Sequence, residues 1–186
     1  MNIHPTKLLP KDVLQHFQTY FAQPLSQSLD QLFKDNLYFV SIRFGTGNRQ
    51  MAASSQLKEF GRLHFRISRQ LLGNRVNNNR KRKLQPLCYA FVDSEGSRRG
   101  SSDVFKCQMP HVHAVIAPPP QYKKEFNVII NDPQLTNGLP VKSLDVSPYS
   151  PDIGSLENLI SYCMKGYRQA HTSHFLREDL WAVFPD

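Results

Sequence analysis

Between Met109 and Ile116 the chain reads Met-Pro-His-Val-His-Ala-Val-Ile, two histidines separated by one apolar residue in a run that alternates like a β-strand. Side chains at i and i+2 on a strand share a face, so His111 and His113 project side by side and form a two-histidine platform for a metal. Taken alone, such a pair also fits two satisfied core histidines. Further along, Ser161-Tyr162-Cys163-Met164-Lys165-Gly166-Tyr167 sets a tyrosine and a lysine one helical turn apart. The two stretches together suggest a metal-assisted tyrosine nucleophile.

The surrounding segments supply a scaffold. Leu37 to Phe44 is dense in aromatic and β-branched residues and is closed by Gly45 and Gly47, which predicts a strand deep in a sheet. Leu87 to Asp93 predicts a second strand, Ser94 to Ser102 a long hairpin loop, and Val104 to Ala117 the return strand that carries the histidines. The hairpin return brings Asp93 and Glu95, which share strand parity, toward the histidine strand, so either carboxylate can complete the ligand set. Leu139 to Val146 reads as another strand, whereas Tyr122 to Ile130 fits a short helix or a strand.

Helical periodicity marks the remaining elements. Residues 12–22 and 25–34 predict two short helices separated at Pro24. Ser54 or Ser55 is positioned to cap a helix that runs to Leu72 and stops at Gly73-Asn74, with Leu57, Phe60, Leu63, Ile67 and Leu71 as its buried stripe. Ser155 is placed to cap a helix to about Arg168 that carries Tyr162 and Lys165 beside its apolar face. The tail from Phe175 to Phe184 reads as a last docked helix.

Charge points toward a polyanion. The 186 residues contain 23 Lys+Arg against 15 Asp+Glu, a formal net charge of +8, which favours nucleic acid or an acidic membrane surface as partner. Lys58, Arg62, Arg66 and Arg69 recur along one helix and lead into a polar loop with Arg80, Lys81, Arg82 and Lys83. These cations, with Arg98 and Arg99, are candidates for phosphate contacts, although charge on a helix is also the ordinary solvated surface. The apolar runs are only strand-sized and the N-terminus lacks an apolar leader core, so we expect a soluble, cytoplasmic protein with no membrane partner. Cys88, Cys107 and Cys163 are odd in number and widely spaced, which predicts buried free thiols and neither a disulfide framework nor a four-thiolate zinc site.

Two imidazoles and one carboxylate suit a divalent ion that keeps open positions for a phosphate oxygen. A phenol is a poor nucleophile at neutral pH and needs a metal or a nearby cation, and Lys165 can be that cation. At this point the residues resemble the HUH endonuclease superfamily, and within it the single-tyrosine initiators of rolling-circle replication. Phe39-Val40-Ser41-Ile42-Arg43-Phe44 is similar to the first motif, His111-Val112-His113 to the histidine-hydrophobic-histidine motif, and Tyr162-Cys163-Met164-Lys165 to Tyr-x-x-Lys. Tyr89 to Asp93 is similar to the strand that gives the acidic ligand, although glutamate is usual there. Tyr167 follows Tyr162 at a spacing unlike that of two-tyrosine members and is read as structural.

The resemblance implies an α+β fold with a mainly antiparallel sheet of about five strands flanked by helices, the histidine strand central and the tyrosine helix across one face. It implies a single domain overall, with residues 1–35 as a helical extension packed on a nuclease core of residues 36–186. It further implies Mn²⁺ or Mg²⁺ held by His111, His113 and Asp93 or Glu95, with Tyr162 as nucleophile and Lys165 beside the phosphate. The substrate would be single-stranded DNA or a DNA hairpin at an origin. No Gly-x-x-x-x-Gly-Lys phosphate loop occurs, so a helicase and a polymerase would come from the host. Rival readings are a DNA-binding module that does not cut, a single-tyrosine transposase of the same superfamily, and a zinc hydrolase using His171 and His174.

Overall fold

The structure is a computed structural model and describes residues 8–21, 33–34, 36–45, 51–94, 110–166 and 180–185. In chain order its elements are α1 (Pro10–Phe21), β1 (Tyr38–Phe44), α2 (Ala53–Leu72), α3 (Asn79–Arg82), β2 (Leu87–Ser94) and β3 (Pro110–Ala117). They are followed by α4 (Lys123–Ile130), β4 (Val141–Pro148), α5 (Leu156–Cys163) and β5 (Trp181–Phe184). The expected architecture is the observed one. The five strands form one sheet in the order β4-β1-β3-β2-β5, and every neighbouring pair is antiparallel.

The histidine strand β3 is the middle strand. It is paired on one side with β1, where Ser41 faces His113, and on the other with β2, where Asp93 faces His111 and Phe91 faces His113. Strand alternation splits these residues between two cores. Phe91, Tyr89, Val115 and Ala117 pack with α1 and α5, while Val40, Ile42, Ala90, Val92, Val112 and Ala114 pack with α2 and α4. His111, His113 and Asp93 share the parity of the first set, so they face the α1/α5 layer. Val13, Phe17 and Phe21 of α1 are buried in that layer. Each such side chain contributes roughly 1.5–3 kcal/mol by burial, which makes α1 an integral part of the core.

The hairpin reading holds at its described ends, while residues 95–109 lie outside the described residues. The segment left open between strand and helix is helical, as α4 after a 3₁₀ turn at Pro120–Tyr122. Of the second short N-terminal helix expected over residues 25–34, only residues 33 and 34 are described, both in helical conformation.

Three expectations are corrected. The tail is a strand where it is described, because β5 pairs with β2 from Cys88↔Phe184 to Phe91↔Trp181 and so completes an edge that would otherwise expose unpaired backbone groups. The N-cap of the long basic helix is Ala52, two residues before Ser54 and three before Ser55, and it makes no side-chain cap. There the Gln56 amide N–H bonds to the Ala52 carbonyl at 3.0 Å and the Gln56 side chain to the Met51 carbonyl at 3.1 Å. The basic loop contains the one-turn helix α3, because the Asn78 side chain accepts the Arg80 N–H at 3.0 Å. Gly73 ends α2 at φ 77°, a conformation that favours glycine.

Candidate metal centre and nucleophile

Asp93 and His111 are direct cross-strand partners, and His113 lies two residues along the same face, so sheet register alone gathers three ligand-type side chains. The two Nε2 atoms are 2.8 Å apart, and Asp93 Oδ2 lies 3.9 Å from that of His111 and 3.7 Å from that of His113. All three residues are buried, and their ligand atoms lie within 4.8 Å of one another, close enough to bind one metal ion. Two imidazole nitrogens and one carboxylate oxygen fit a divalent ion and leave coordination positions open. Glu95, the other carboxylate considered, lies outside the described residues.

The second half of the site comes from α5. Ser155 caps this helix as expected, its hydroxyl accepting the Asn158 N–H at 3.2 Å. The helix ends at Cys163, and Lys165 and Gly166 return to helical conformation after a turn at Met164. The expected continuation to Arg168 and the second tyrosine, Tyr167, lie outside the described residues. The Tyr162 ring sits 5.1 Å from the His113 ring, and Phe39 of β1 lies 5.2 Å from His113 and 6.0 Å from Tyr162, centroid to centroid. Lys165 Nζ is 3.7 Å from Asp93 Oδ2 and 5.8 Å from the centre of the Tyr162 ring. A buried carboxylate is costly without a compensating charge, and Lys165 supplies one. The site therefore brings together five of the expected residues: Asp93, His111, His113, Tyr162 and Lys165.

Cys163 adjoins this cluster and is fully buried. Burial, reinforced by the Asp93 charge, pushes its thiol well above the ordinary range, so the reactive thiolate is suppressed at neutral pH. Cys88 is likewise buried and its thiol raised, by burial and then by Cys163.

The basic residues are distributed differently. Lys58, Arg62, Arg66 and Arg69 belong to α2, on the face of the sheet opposite the histidines. Arg62 pairs with Glu59 at 2.9 Å, Arg69 bonds to Asn74 at 3.0 Å, and Arg66 donates to the carbonyls of Leu135 and Asn137 at 2.7 Å each. Lys81 of α3 donates to the Leu72 carbonyl at the end of α2, where helix carbonyls need partners. Lys58, Arg80, Arg82 and Lys83 are exposed to solvent. Arg98, Arg99, His171 and His174 lie outside the described residues.

Two site residues had no role assigned from sequence. Phe39 was legible only as part of the apolar strand similar to the first motif, and Gly166 only as a glycine inside a helical pattern. Among the described residues, no helix is long and apolar enough to cross a membrane. Comparison of the chain with family models, curated proteins and solved structures gives no match.

Proposed function

We propose that this chain is a metal-dependent endonuclease and ligase for single-stranded DNA, of the HUH type, that works through a covalent 5′-phosphotyrosine and initiates rolling-circle replication of a plasmid, phage or related element. The observation that carries the reading is the convergence of a Tyr-x-x-Lys helix on a buried His-x-His and aspartate, with Tyr162 5.1 Å from His113 and Lys165 3.7 Å from Asp93. Metal ligands alone would fit many activities. A tyrosine and a lysine beside them favour nucleophilic attack on a phosphate over the other chemistries such ligands serve.

In this reading His111, His113 and Asp93 hold Mn²⁺ or Mg²⁺, which when bound supplies Lewis acidity toward a phosphate oxygen. Tyr162 Oη attacks the phosphorus, the bond from phosphorus to the tyrosine oxygen forms, and the bond to the 3′-oxygen breaks. The phenol gives up its proton and the departing 3′-oxygen takes one, leaving a 5′-phosphotyrosyl link and a free 3′-hydroxyl. One phosphodiester replaces another, so attack by a new 3′-hydroxyl reverses the step and joins DNA. Lys165 places positive charge beside the tyrosine, where it offsets charge developing on the phosphate. The free 3′ end primes a host polymerase after a host helicase opens the duplex, which places the protein in the cytoplasm with the replicating element.

The test is incubation of the protein with single-stranded and hairpin oligonucleotides and Mn²⁺, followed by denaturing electrophoresis. The expected result is a covalent adduct with the unsubstituted protein and none with Tyr162→Phe, while that variant still binds the oligonucleotide. Nicking by Tyr162→Phe removes the assigned nucleophile. Binding with no adduct under any divalent ion favours a DNA-binding module instead.

A further inference from the structure

Gly166 follows Lys165 at the point where the tyrosine segment meets the end of β2. A Cβ placed on it would lie 2.7 Å from the Val92 carbonyl oxygen, 2.9 Å from Asp93 Oδ1 and 3.1 Å from Asp93 Cα. Carbon needs roughly 3.5 Å from a non-bonded heavy atom, so even alanine overlaps three atoms at once, two of them backbone. The glycine is needed for space and not for conformation, since its φ is not among the positive values at Gly73, Gly138 and Gly154. Val92 and Asp93 are also held in register against Val112 and His111 of the central strand. The sheet therefore cannot yield cheaply, and a side chain at 166 would drive the end of the tyrosine segment outward.

We infer that Gly166 is a positioning residue, whose missing side chain sets how closely Lys165 and Tyr162 approach Asp93 and the histidines. The inference rests on the metal and tyrosine roles proposed above. One atom of bulk at 166 presses on Val92 and Asp93 and separates the two halves of the site without replacing any ligand. A displacement near 1 Å is enough to cost about a hundredfold in a positioned reaction.

The experiment is a double-mutant cycle on Mn²⁺ affinity, measured by titration calorimetry on the full chain with Gly166→Ala, Lys165→Met and the combination. Removing a cation that shares an oxygen with the metal should tighten Mn²⁺ binding about tenfold in the Gly166 background. In the Gly166→Ala background, where the lysine is already held away, the same change should move the affinity by less than about threefold. Covalent adduct formation by Gly166→Ala should slow about 10- to 100-fold at saturating Mn²⁺, with oligonucleotide affinity held. Equal factors in the two backgrounds overturn the positioning role while leaving the nuclease reading intact. Absence of Mn²⁺ binding by the unsubstituted protein overturns both. Should Gly166→Ala fail to fold, the unsubstituted protein serves: stoichiometric Mn²⁺ should broaden the Gly166 and Lys165 amide NMR signals beyond detection, and a surviving Gly166 signal overturns the inference.

Discussion

Lys165 Nζ and His113 Nε2 each lie 3.7 Å from the same oxygen of Asp93, so one carboxylate oxygen serves both the lysine and the metal-ligand cluster. Asp93 is 2 % exposed, and a carboxylate at that depth needs positive charge nearby. Lys165→Met should therefore destabilise the metal-free protein by about 1–3 kcal/mol, and Mn²⁺ should raise its melting temperature more than that of the parent protein. Thermal melts with and without Mn²⁺ check both statements. An unchanged metal-free melting temperature would show that the pair contributes nothing to the fold.

Loss of a ligand should act on metal before it acts on DNA. Asp93→Asn and His113→Ala should each weaken Mn²⁺ binding by at least about tenfold, and extra Mn²⁺ should restore adduct formation by His113→Ala only in part. Calorimetry and adduct assays across a Mn²⁺ series measure this. Unaltered metal dependence in both variants would make the trio a structural cluster.

Phe39 touches both halves of the site, with its ring 5.2 Å from His113 and 6.0 Å from Tyr162. Aromatic pairs of this kind contribute about 0.5–1.5 kcal/mol each beyond area burial. Phe39→Ala should slow adduct formation about tenfold, because the Tyr162 ring loses one wall, while Mn²⁺ affinity changes less. An equal loss in both measurements would place Phe39 among general core residues.

The C-terminal strand should be essential to the sheet. Phe184 lies 5.2 Å from the His64 ring and 5.8 Å from Phe60, and Gly61 leaves room for its edge. Phe184→Ala should cost about 2–4 kcal/mol and expose the edge of β2 to self-association. Chemical denaturation and light scattering report the two effects. Parental stability in this variant would mean that β5 is dispensable.

Alkali should weaken the docking of α1. Burial, with the Asp12 charge adding to it, holds the Tyr89 phenol up at about 12 against an ordinary 10.0, and Tyr20 is raised as well by burial. A phenol raised in the folded state stays protonated while its unfolded counterpart ionises. The contribution of these phenols to stability is therefore constant below pH 10 and falls from there toward pH 12. Ultraviolet titration should show Tyr89 and Tyr20 ionising late. Tyr89→Phe should flatten the decline, and an identical alkaline profile in that variant would assign the loss elsewhere.

How much of this was legible in the chain depends on whether the signal was local. The histidine strand announced itself because alternation is a property of neighbouring residues, whereas its central place was expected from the family resemblance and not from periodicity. The pairing of Asp93 with His111 required only the hairpin return. The tail misled because Leu176, Leu180, Trp181 and Val183 fit a helical spacing, while the deciding influence was the open edge of β2, far away in sequence. Periodicity of Lys58, Arg62, Arg66 and Arg69 identified a face of α2 but could not say on which side of the sheet the helix would dock. Gly166 was silent for another reason, since its contribution is a side chain that is not there.

Both edges of β3 are laced into ladders, with β1 on one side and β2 on the other. The two imidazoles are thus spaced by the main chain and not by any ion they hold. Small zinc modules fold only when metal arrives, whereas here main-chain pairing already sets the spacing of the ligand-type side chains, so a chelator should leave the fold intact. An ion bound at this trio would therefore switch the chemistry of the site without assembling or dissolving the fold around it.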